Sequence, residues 1–186
     1  MRALLVVAHP RRDSLTAHVA DRVRARLAAG AEVDVLDLHA EGFDPRMTEE
    51  DEPDWSDPGK AYSPEVRAHM ARVVAADVLV VVFPVWWFGP PAILKGWIDR
   101  VWNHGFAYGP SSLGGKRMRR IGLAGEPEDT FVRHGMAGLV ERQLRDGVSR
   151  YCGIDDVELT MLHGTLTGDD LGPLVAEAEE VAAALV

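Results

Sequence analysis

Unbroken apolar runs rich in β-branched residues place the strongest constraint on how this chain folds. Two clear runs are Ala3–Ala8 and Val78–Phe83. A run that is apolar at every position is typical of a strand covered on both faces, whereas a half-exposed strand alternates. Between the runs lie stretches of helical periodicity, such as Leu15, Val19 and Val23 at spacings of four. The alternation predicts a parallel sheet with helices packed on both sides.

Five strands and five helices are predicted from these patterns. The strands cover about Ala3–Ala8, Glu32–Leu36, Asp77–Phe83, Arg120–Ala124 and Val157–Leu162. The helices cover about Ser14–Ala29, Pro64–Ala75, Pro91–Trp102, Met136–Val148 and Asp169–Leu185. No break in composition interrupts this alternation, so we predict one α/β domain over residues 1–186, built on a doubly wound five-stranded sheet.

The loops that leave the carboxyl ends of parallel strands meet at one edge of the sheet, where ligands bind. Three such loops are His9–Asp13, Pro84–Pro91 and Gly125–Gly135, and we expect them to converge on one crevice. The segment Asp37–Ser63 is longer than ordinary connections. It is interpreted as a lid, an arm onto a second subunit, or a mobile surface loop.

Composition excludes several classes of function. The 20 basic residues are outnumbered by 29 acidic ones, and the net charge of −9 gives no broad positive field for nucleic acid. The single cysteine, Cys152, leaves no intramolecular disulfide and no thiolate zinc site, so no metal is expected and a cytoplasmic location is predicted. No apolar stretch approaches the roughly 20 residues that cross a bilayer, so no integral membrane segment is expected.

The first loop carries features of an anion site. It lacks both the G-x-G-x-x-G and the G-x-x-x-x-G-K-[ST] patterns. Ser14 and Thr16 nevertheless stand at a predicted helix start, where free N–H groups and the helix dipole favour phosphate. His9, Arg11 and Arg12 would add donors. Ser14 is equally well explained as a simple helix N-cap.

Three adjacent aromatic residues, Trp86-Trp87-Phe88, lie in the second loop between prolines. A flat heteroaromatic ligand would gain from aromatic neighbours, and Gly89 would let the backbone approach it closely. The alternative is an interface or a hydrophobic cap over the sheet.

A longer motif continues from this loop. Residues 87–102 read W-F-G-P-P-A-I-L-K-G-W-I-D-R-V-W and residues 105–108 read G-F-A-Y, with His9-Pro10, Ser14 and Tyr151-Cys152-Gly153 elsewhere. The sequence thereby resembles the flavodoxin-like NAD(P)H:quinone oxidoreductase family over nearly its whole length. It is also similar to flavoproteins grouped with ancillary subunits of glutathione-regulated potassium efflux. The resemblance implies a flavodoxin-like fold, a bound flavin (FAD or FMN) and a homodimer with sites at the subunit interface.

The resemblance also assigns flavin contacts. The resemblance implies that the phosphate end of the flavin contacts His9, Ser14, Leu15 and Thr16. It implies that the isoalloxazine ring of the flavin contacts Pro84, Val85, Trp86, Trp87 and Phe88. The third loop, usually T-T-G-G, reads Leu123-Ala124-Gly125-Glu126. Because it lacks the threonine hydroxyls, we expect the backbone N–H groups of Ala124, Gly125 and Glu126 to donate to the ring, with Glu126 adding negative charge.

Some family members place a catalytic tyrosine and histidine after the third loop. Phe131 stands at the tyrosine position, and His134 lies near the histidine position but out of register. The resemblance therefore makes His134 the candidate catalytic residue, and Phe131 and Trp86 candidate walls of the substrate pocket. An exposed loop histidine is the alternative interpretation of His134.

The resemblance implies a ping-pong reaction. NAD(P)H as co-substrate passes hydride to the flavin and leaves, and a quinone or similar flat acceptor takes its place. Two alternatives stay open: a one-electron carrier of the flavodoxin type, and a flavin-binding regulatory subunit of a potassium-efflux antiporter. The choices between FAD and FMN and between NADPH and NADH also stay open.

Overall fold

A computed structural model describes residues 1–166 and 170–186 of the chain. Its strands form one all-parallel sheet of five strands in the order β2-β1-β3-β4-β5. These strands are β1 (Arg2–Val7), β2 (Glu32–Asp37), β3 (Val78–Pro84), β4 (Arg117–Leu123) and β5 (Asp156–Leu162). The predicted doubly wound α/β sheet is confirmed.

Within the described residues, six α-helices cover the two faces of the sheet. They are α1 (Leu15–Leu27), α2 (Pro64–Ala75), α3 (Ala92–Val101), α4 (Glu128–Arg133), α5 (Ala137–Arg142) and α6 (Gly172–Ala183). A π-helical segment, Gln143–Arg150, continues α5. Among these helices there is none with both the length and the apolar character needed to cross a membrane.

The unbroken apolar runs form the centre of the sheet. All seven residues of β3 are buried, and so are all residues of β1 after Arg2. Alternate side chains enter two cores: Leu4 packs on the side of α2 and α3, and Leu5 on the side of α1 and α6. Each large apolar side chain buried in this way stabilises the fold by about 1.5–3 kcal/mol. β2, at the sheet edge, is largely exposed, and Leu36 is its only buried residue.

The start of β4 differs from the prediction. β4 begins at Arg117, not Arg120, because Arg119 forms ion pairs with Asp156 (2.7 Å) and Glu158 (3.3 Å) on β5. Pairing across the ladder lets charged residues extend an otherwise apolar strand. The predicted start of the last helix, Asp169, lies outside the described residues.

The segment Gly125–Gly135, predicted to be a loop throughout, contains a helix. The helix, α4, is only six residues long, follows Pro127, and has Glu128 and Asp129 in its first turn. Acidic residues there suit the positive end of the helix dipole. Six residues are too few to display a clear helical period, which explains the error.

The predicted helix Met136–Val148 is in fact α5 followed by the π-helical segment, which ends at Arg150. Arg120 of β4 is buried beneath this segment and donates to the Leu144 carbonyl (2.8 Å) and to the Ser149 hydroxyl (2.6 Å). Burial lowers the pKa of Arg120 to about 9, so the guanidinium is still charged at pH 7. The Leu144 carbonyl is drawn towards the sheet where the π-helical segment begins.

The long segment between β2 and α2 is fastened to α3. Asp51 in its middle is 0% exposed and accepts hydrogen bonds from Arg100 (2.7 Å) and from the Ser63 amide (2.8 Å) and hydroxyl (3.0 Å). Asn103 donates to the Asp51 carbonyl at 2.7 Å. The interpretation of this part of the segment as a mobile surface loop is therefore wrong.

We predict that Asp51→Asn lowers the free energy of unfolding by about 3 kcal/mol, because Arg100 would stay buried without its main counter-charge. Urea denaturation followed by circular dichroism measures the change. Glu50→Gln, in the same segment but exposed, is the control and should stay within about 0.5 kcal/mol of wild type. Equal stability of the two variants would contradict the prediction.

The effect of Asp51→Asn depends on pH. Burial by itself raises the pKa of Asp51, but the hydrogen bonds from Arg100 and Ser63 outweigh burial and hold the pKa below its ordinary value. The stabilisation by the carboxylate is therefore complete above the unfolded-state pKa of about 3.9 and is lost as the pH falls through the folded-state pKa. The gap between wild type and Asp51→Asn should narrow below about pH 4.

Candidate functional site

A cavity of about 410 Å³ opens at the carboxyl edge of the sheet. The loops after β1, β3 and β4, which the sequence predicted to converge, all border it. Thirteen of the predicted site residues line it: His9, Ser14, Leu15, Thr16, Pro84, Val85, Trp86, Trp87, Phe88, Leu123, Gly125, Glu126 and Phe131. Arg11, Thr165 and Leu166 complete the lining.

The amino end of α1 forms one end of the cavity. The Ser14 hydroxyl accepts a hydrogen bond from the Ala17 amide (3.1 Å), so Ser14 is the N-cap of the helix. The backbone N–H groups of Leu15 and Thr16 have no acceptor within residues 1–166 and 170–186, and neither has the Thr16 hydroxyl a partner there. Unpaired donors at the positive end of a helix dipole favour an anion.

His9 lies beside this helix end. Its Nδ1 lies 3.1 Å from the Arg11 amide nitrogen and 3.2 Å from the Arg11 carbonyl oxygen. Burial lowers the pKa of His9, and this effect outweighs the backbone hydrogen bond with Arg11, which raises the pKa. In the neutral imidazole Nδ1 can accept from the Arg11 amide or donate to the Arg11 carbonyl, and the tautomer decides which ring nitrogen carries the proton. The ring centroid lies 6.2 Å from that of Trp86.

A tight turn builds the aromatic wall of the cavity. Trp86 and Gly89 exchange two backbone hydrogen bonds (3.0 and 3.1 Å) across it. The two residues between them, Trp87 and Phe88, have φ of 51° and 58°. This is the pattern of a type I′ turn, which normally uses Asn-Gly, and each bulky residue held there costs about 1–3 kcal/mol.

The turn gives its two central side chains different surroundings. Phe88 packs edge-on against Phe131, with the ring centroids 4.9 Å apart. Trp87 is 98% exposed and stands at the rim. The packing of Phe88 thus helps to maintain the strained backbone of the turn. Its ring forms an aromatic wall on one side of the cavity.

Ala124 was predicted to donate its N–H to a ligand, and this prediction is wrong. Its N–H donates to the Leu162 carbonyl at 2.8 Å, the residue is fully buried, and it does not line the cavity. The physical reason is that β4–β5 pairing continues one residue past the end of β4. Gly125 and Glu126 differ, because their N–H groups have no acceptor in the part of the chain that the structure describes.

His134 and Phe131 have separate positions. Phe131 is buried in the cavity wall. His134 is exposed at the end of α4, does not line the cavity, and approaches it only through Phe88, with ring centroids 6.1 Å apart. His163, which the sequence analysis did not single out, lies edge-on behind Phe131 at 4.8 Å.

The loop after β5 was not predicted to border the cavity. Thr165 and Leu166 border the cavity directly after this strand. The rule that loops at the carboxyl ends of parallel strands converge applies to β5 as well. The signal was present, but the loop lacks the prolines, aromatics or charges that drew attention to the other three.

The fold and this site define the class of the protein: the chain belongs to the family described as flavodoxin-like fold, which matches residues 1–185. It is 45% identical over 170 residues to the Uncharacterized NAD(P)H oxidoreductase YcaK of Escherichia coli, covering 90% of this chain and 86% of that one. It is 31% identical over 187 residues to NAD(P)H dehydrogenase [quinone] 1 of Rattus norvegicus, covering 87% and 68%. The solved NAD(P)H:quinone oxidoreductase of Methanothermobacter marburgensis superposes with a TM-score of 0.91 at 27% identity, covering 100% and 96%.

We predict that the strained turn tolerates residues that accept a positive φ. Trp87→Asn should raise the free energy of unfolding by about 0.5–1 kcal/mol, because Asn adopts this conformation readily and the exposed indole is not packed in the core. Trp87→Val should lower it, since a β-branched residue is strained there. Chemical denaturation of both variants checks this, and a valine variant more stable than the asparagine variant would refute it.

Proposed function

We propose that this chain is a flavin-dependent NAD(P)H oxidoreductase of the NAD(P)H dehydrogenase (quinone) type, acting on a quinone or similar flat aromatic acceptor by a ping-pong mechanism. One observation carries the proposal: a single cavity has an aromatic wall and, at two places, N–H donors without an acceptor in the described residues. The names of the relatives support the reaction class. We further propose that residues 1–186 act as one flavin-binding domain.

The first set of donors fits a phosphate. The N–H groups of Leu15 and Thr16 and the Thr16 hydroxyl are three neutral donors at the start of α1, and the His9 ring lies beside them in the cavity lining. FMN and FAD both carry a phosphate that would suit this end. Arg11, which also lines the cavity, adds positive charge.

The rest of the cavity fits a flat ring. Trp86 and Phe88 offer aromatic surface, and the N–H groups of Gly125 and Glu126 are available to ring oxygen and nitrogen atoms. The volume of about 410 Å³ lies within the range of small-molecule pockets, roughly 300–1,000 Å³. The residues present therefore fit a flavin.

A bound flavin supplies the redox chemistry, accepting a hydride from NAD(P)H and passing it to the acceptor. The protein binds and orients the reactants. Preorganised N–H donors at Gly125 and Glu126 would stabilise negative charge that grows on the ring upon reduction, while the Glu126 carboxylate would oppose it. We keep His134 as the candidate catalytic residue; it lies at the end of α4, outside the cavity lining, with Phe88 between it and the cavity.

A homodimer is part of the proposal. Trp55 and Tyr151 are 68% and 66% exposed. Both rings contact Tyr108, at centroid distances of 5.7 and 5.6 Å, so they form one surface cluster. Aromatic clusters of this kind are enriched at protein interfaces.

The cellular location is a further part of the proposal. The single buried Cys152 favours a cytoplasmic location, where thiols stay reduced.

The decisive experiment is an absorbance titration of the purified protein with FMN and with FAD, followed by anaerobic NADPH or NADH and then a benzoquinone. We expect flavin bands that bleach with the nicotinamide and return with the quinone, and parallel double-reciprocal plots.

Thr16→Val should weaken flavin binding by about tenfold, because one donor to the phosphate is lost. Thr160→Val, on β5 outside the cavity lining, is the matched control.

The other outcomes distinguish the alternatives. A protein that binds neither flavin would overturn the proposal. Bound flavin that a nicotinamide cannot bleach would favour the one-electron carrier or the potassium-efflux regulatory subunit. Capture of an antiporter with slow or absent turnover would single out the regulatory subunit.

Sedimentation velocity tests the dimer. We expect wild type to sediment as a dimer and Trp55→Ser/Tyr151→Ser to shift towards monomer, because two large exposed rings would lose their apolar contacts. Val74→Ser removes an exposed apolar residue of α2 and should leave the dimer intact. A fully active wild-type monomer would contradict the expectation.

A further inference from the structure

The loop after β5 is hydrogen-bonded to the backbone of the loop after β4. We call residues Gly164–Leu166 the β5 loop and residues Ala124–Glu126 the donor loop. The amide of Thr165 donates to the Ala124 carbonyl (3.0 Å), and the amide of Leu166 to the Gly125 carbonyl (3.3 Å). The amide of Gly164 donates to the Glu126 carbonyl at 3.0 Å. Every carbonyl of the donor loop therefore has a partner in the β5 loop.

These bonds also orient the N–H groups of the donor loop. A trans peptide is planar, and its C=O and N–H point in opposite directions; the described chain has no cis peptide bond. The Ala124 carbonyl shares a peptide plane with the Gly125 N–H, and the Gly125 carbonyl with the Glu126 N–H. Since the β5 loop holds both carbonyls on its own side, the two N–H groups are turned away from it. Both remain without an acceptor in the described residues.

Thr165 makes a second contact to the same peptide. Its hydroxyl donates to the Ala124 carbonyl at 3.1 Å, beside its own amide at 3.0 Å. Two donors on one carbonyl fix the peptide plane more firmly than one. They also polarise the peptide, which strengthens its N–H as a donor on the opposite side. Thr165 thus acts on the Gly125 N–H through the Ala124 carbonyl.

The Leu166 side chain lies beside Gly125. A Cβ atom built on Gly125 would lie 2.6 Å from Cδ1 of Leu166, so a side chain there would displace the end of the leucine, which is otherwise exposed. Glycine leaves room for this contact. The arrangement of the two loops therefore depends mainly on the backbone hydrogen bonds between them.

We propose that Thr165 is a positioning residue that orients and strengthens the Gly125 N–H donor, and thereby raises the affinity for reduced flavin relative to oxidised flavin. The inference rests on the proposed function, because it concerns the flavin of that site. Thr165 lies outside the donor loop, which contains no threonine, and acts on the N–H donor of that loop through a hydrogen bond to its backbone.

The test compares wild type with Thr165→Val and Thr165→Ser, each reconstituted with FMN, or with FAD if FMN does not bind. Titration gives the affinity for oxidised flavin, and equilibration against a reference dye gives the midpoint potential. In the valine variant we expect the affinity for reduced flavin to fall about threefold to tenfold more than that for oxidised flavin. This corresponds to a potential lower by about 15–30 mV for a two-electron couple.

The serine variant keeps the hydroxyl and should return the potential to the wild-type value. Thr160→Val, whose hydroxyl makes no bond to the donor loop, should leave the potential unchanged. If the valine variant does not fold, Thr165→Ala replaces it with the same expectation.

The possible failures are distinguishable. Wild type that binds neither flavin overturns the proposed function. Wild type that binds flavin, with a valine variant of unchanged potential, overturns the role of Thr165 alone. A serine variant with the same lowered potential as the valine variant also overturns that role, since loss of the methyl group, and not of the hydroxyl, would then be responsible.

Discussion

Burial of β1 and β3 on both faces is the constraint on which the rest of the structure depends. An apolar strand covered on both sides needs helices above and below, and crossover connections of that kind make the sheet parallel. A parallel sheet then sends every strand-to-helix loop to the same edge. The cavity follows from this arrangement, because loops far apart in the sequence, such as those at Ser14, Phe88 and Gly125, have no other place to meet. The chemistry of the site is a property of loop composition, whereas its location is a property of core hydrophobicity.

The site itself is formed by backbone groups more than by side chains. Within residues 1–166 and 170–186, the donors at the start of α1 have no acceptor because helix geometry leaves the first turn without one. In the same residues the N–H groups of Gly125 and Glu126 have no acceptor, and the β5 loop binds the carbonyls of the same peptides. Backbone donors fixed in this way need little rearrangement when charge develops, and that is the condition under which they stabilise it best. The pattern T-T-G-G is changed at three positions, Leu123, Ala124 and Glu126, yet the N–H groups of Gly125 and Glu126 have no acceptor in the described residues, because these donors belong to the backbone.

The sheet and most of the cavity were predictable from the sequence. Unbroken apolar runs predict the strands of the sheet, and prolines, aromatic residues and charges in the loops indicate the cavity. What could not be predicted depends on contacts between distant segments. The N–H of Ala124 donates to the Leu162 carbonyl. No local sequence pattern predicts that the hydrogen bonds between two strands continue past the end of one of them. Arg119 lies inside a strand because acidic residues on β5 neutralise it. In the sequence, Asp51 is one of four consecutive acidic residues, 49–52, and nothing local distinguishes it. In the structure it is buried and binds Arg100, which connects the segment between β2 and α2 to α3.

The turn at Trp87 has an evolutionary consequence. Its central side chain projects into solvent at the rim of the cavity, and its backbone conformation is imposed by the neighbouring chain. Substitution there changes what an incoming molecule meets without disturbing either core. The rim of the cavity can therefore diverge among descendants of this chain, provided that the new residue accepts a positive φ, while the residues that maintain the sheet stay the same.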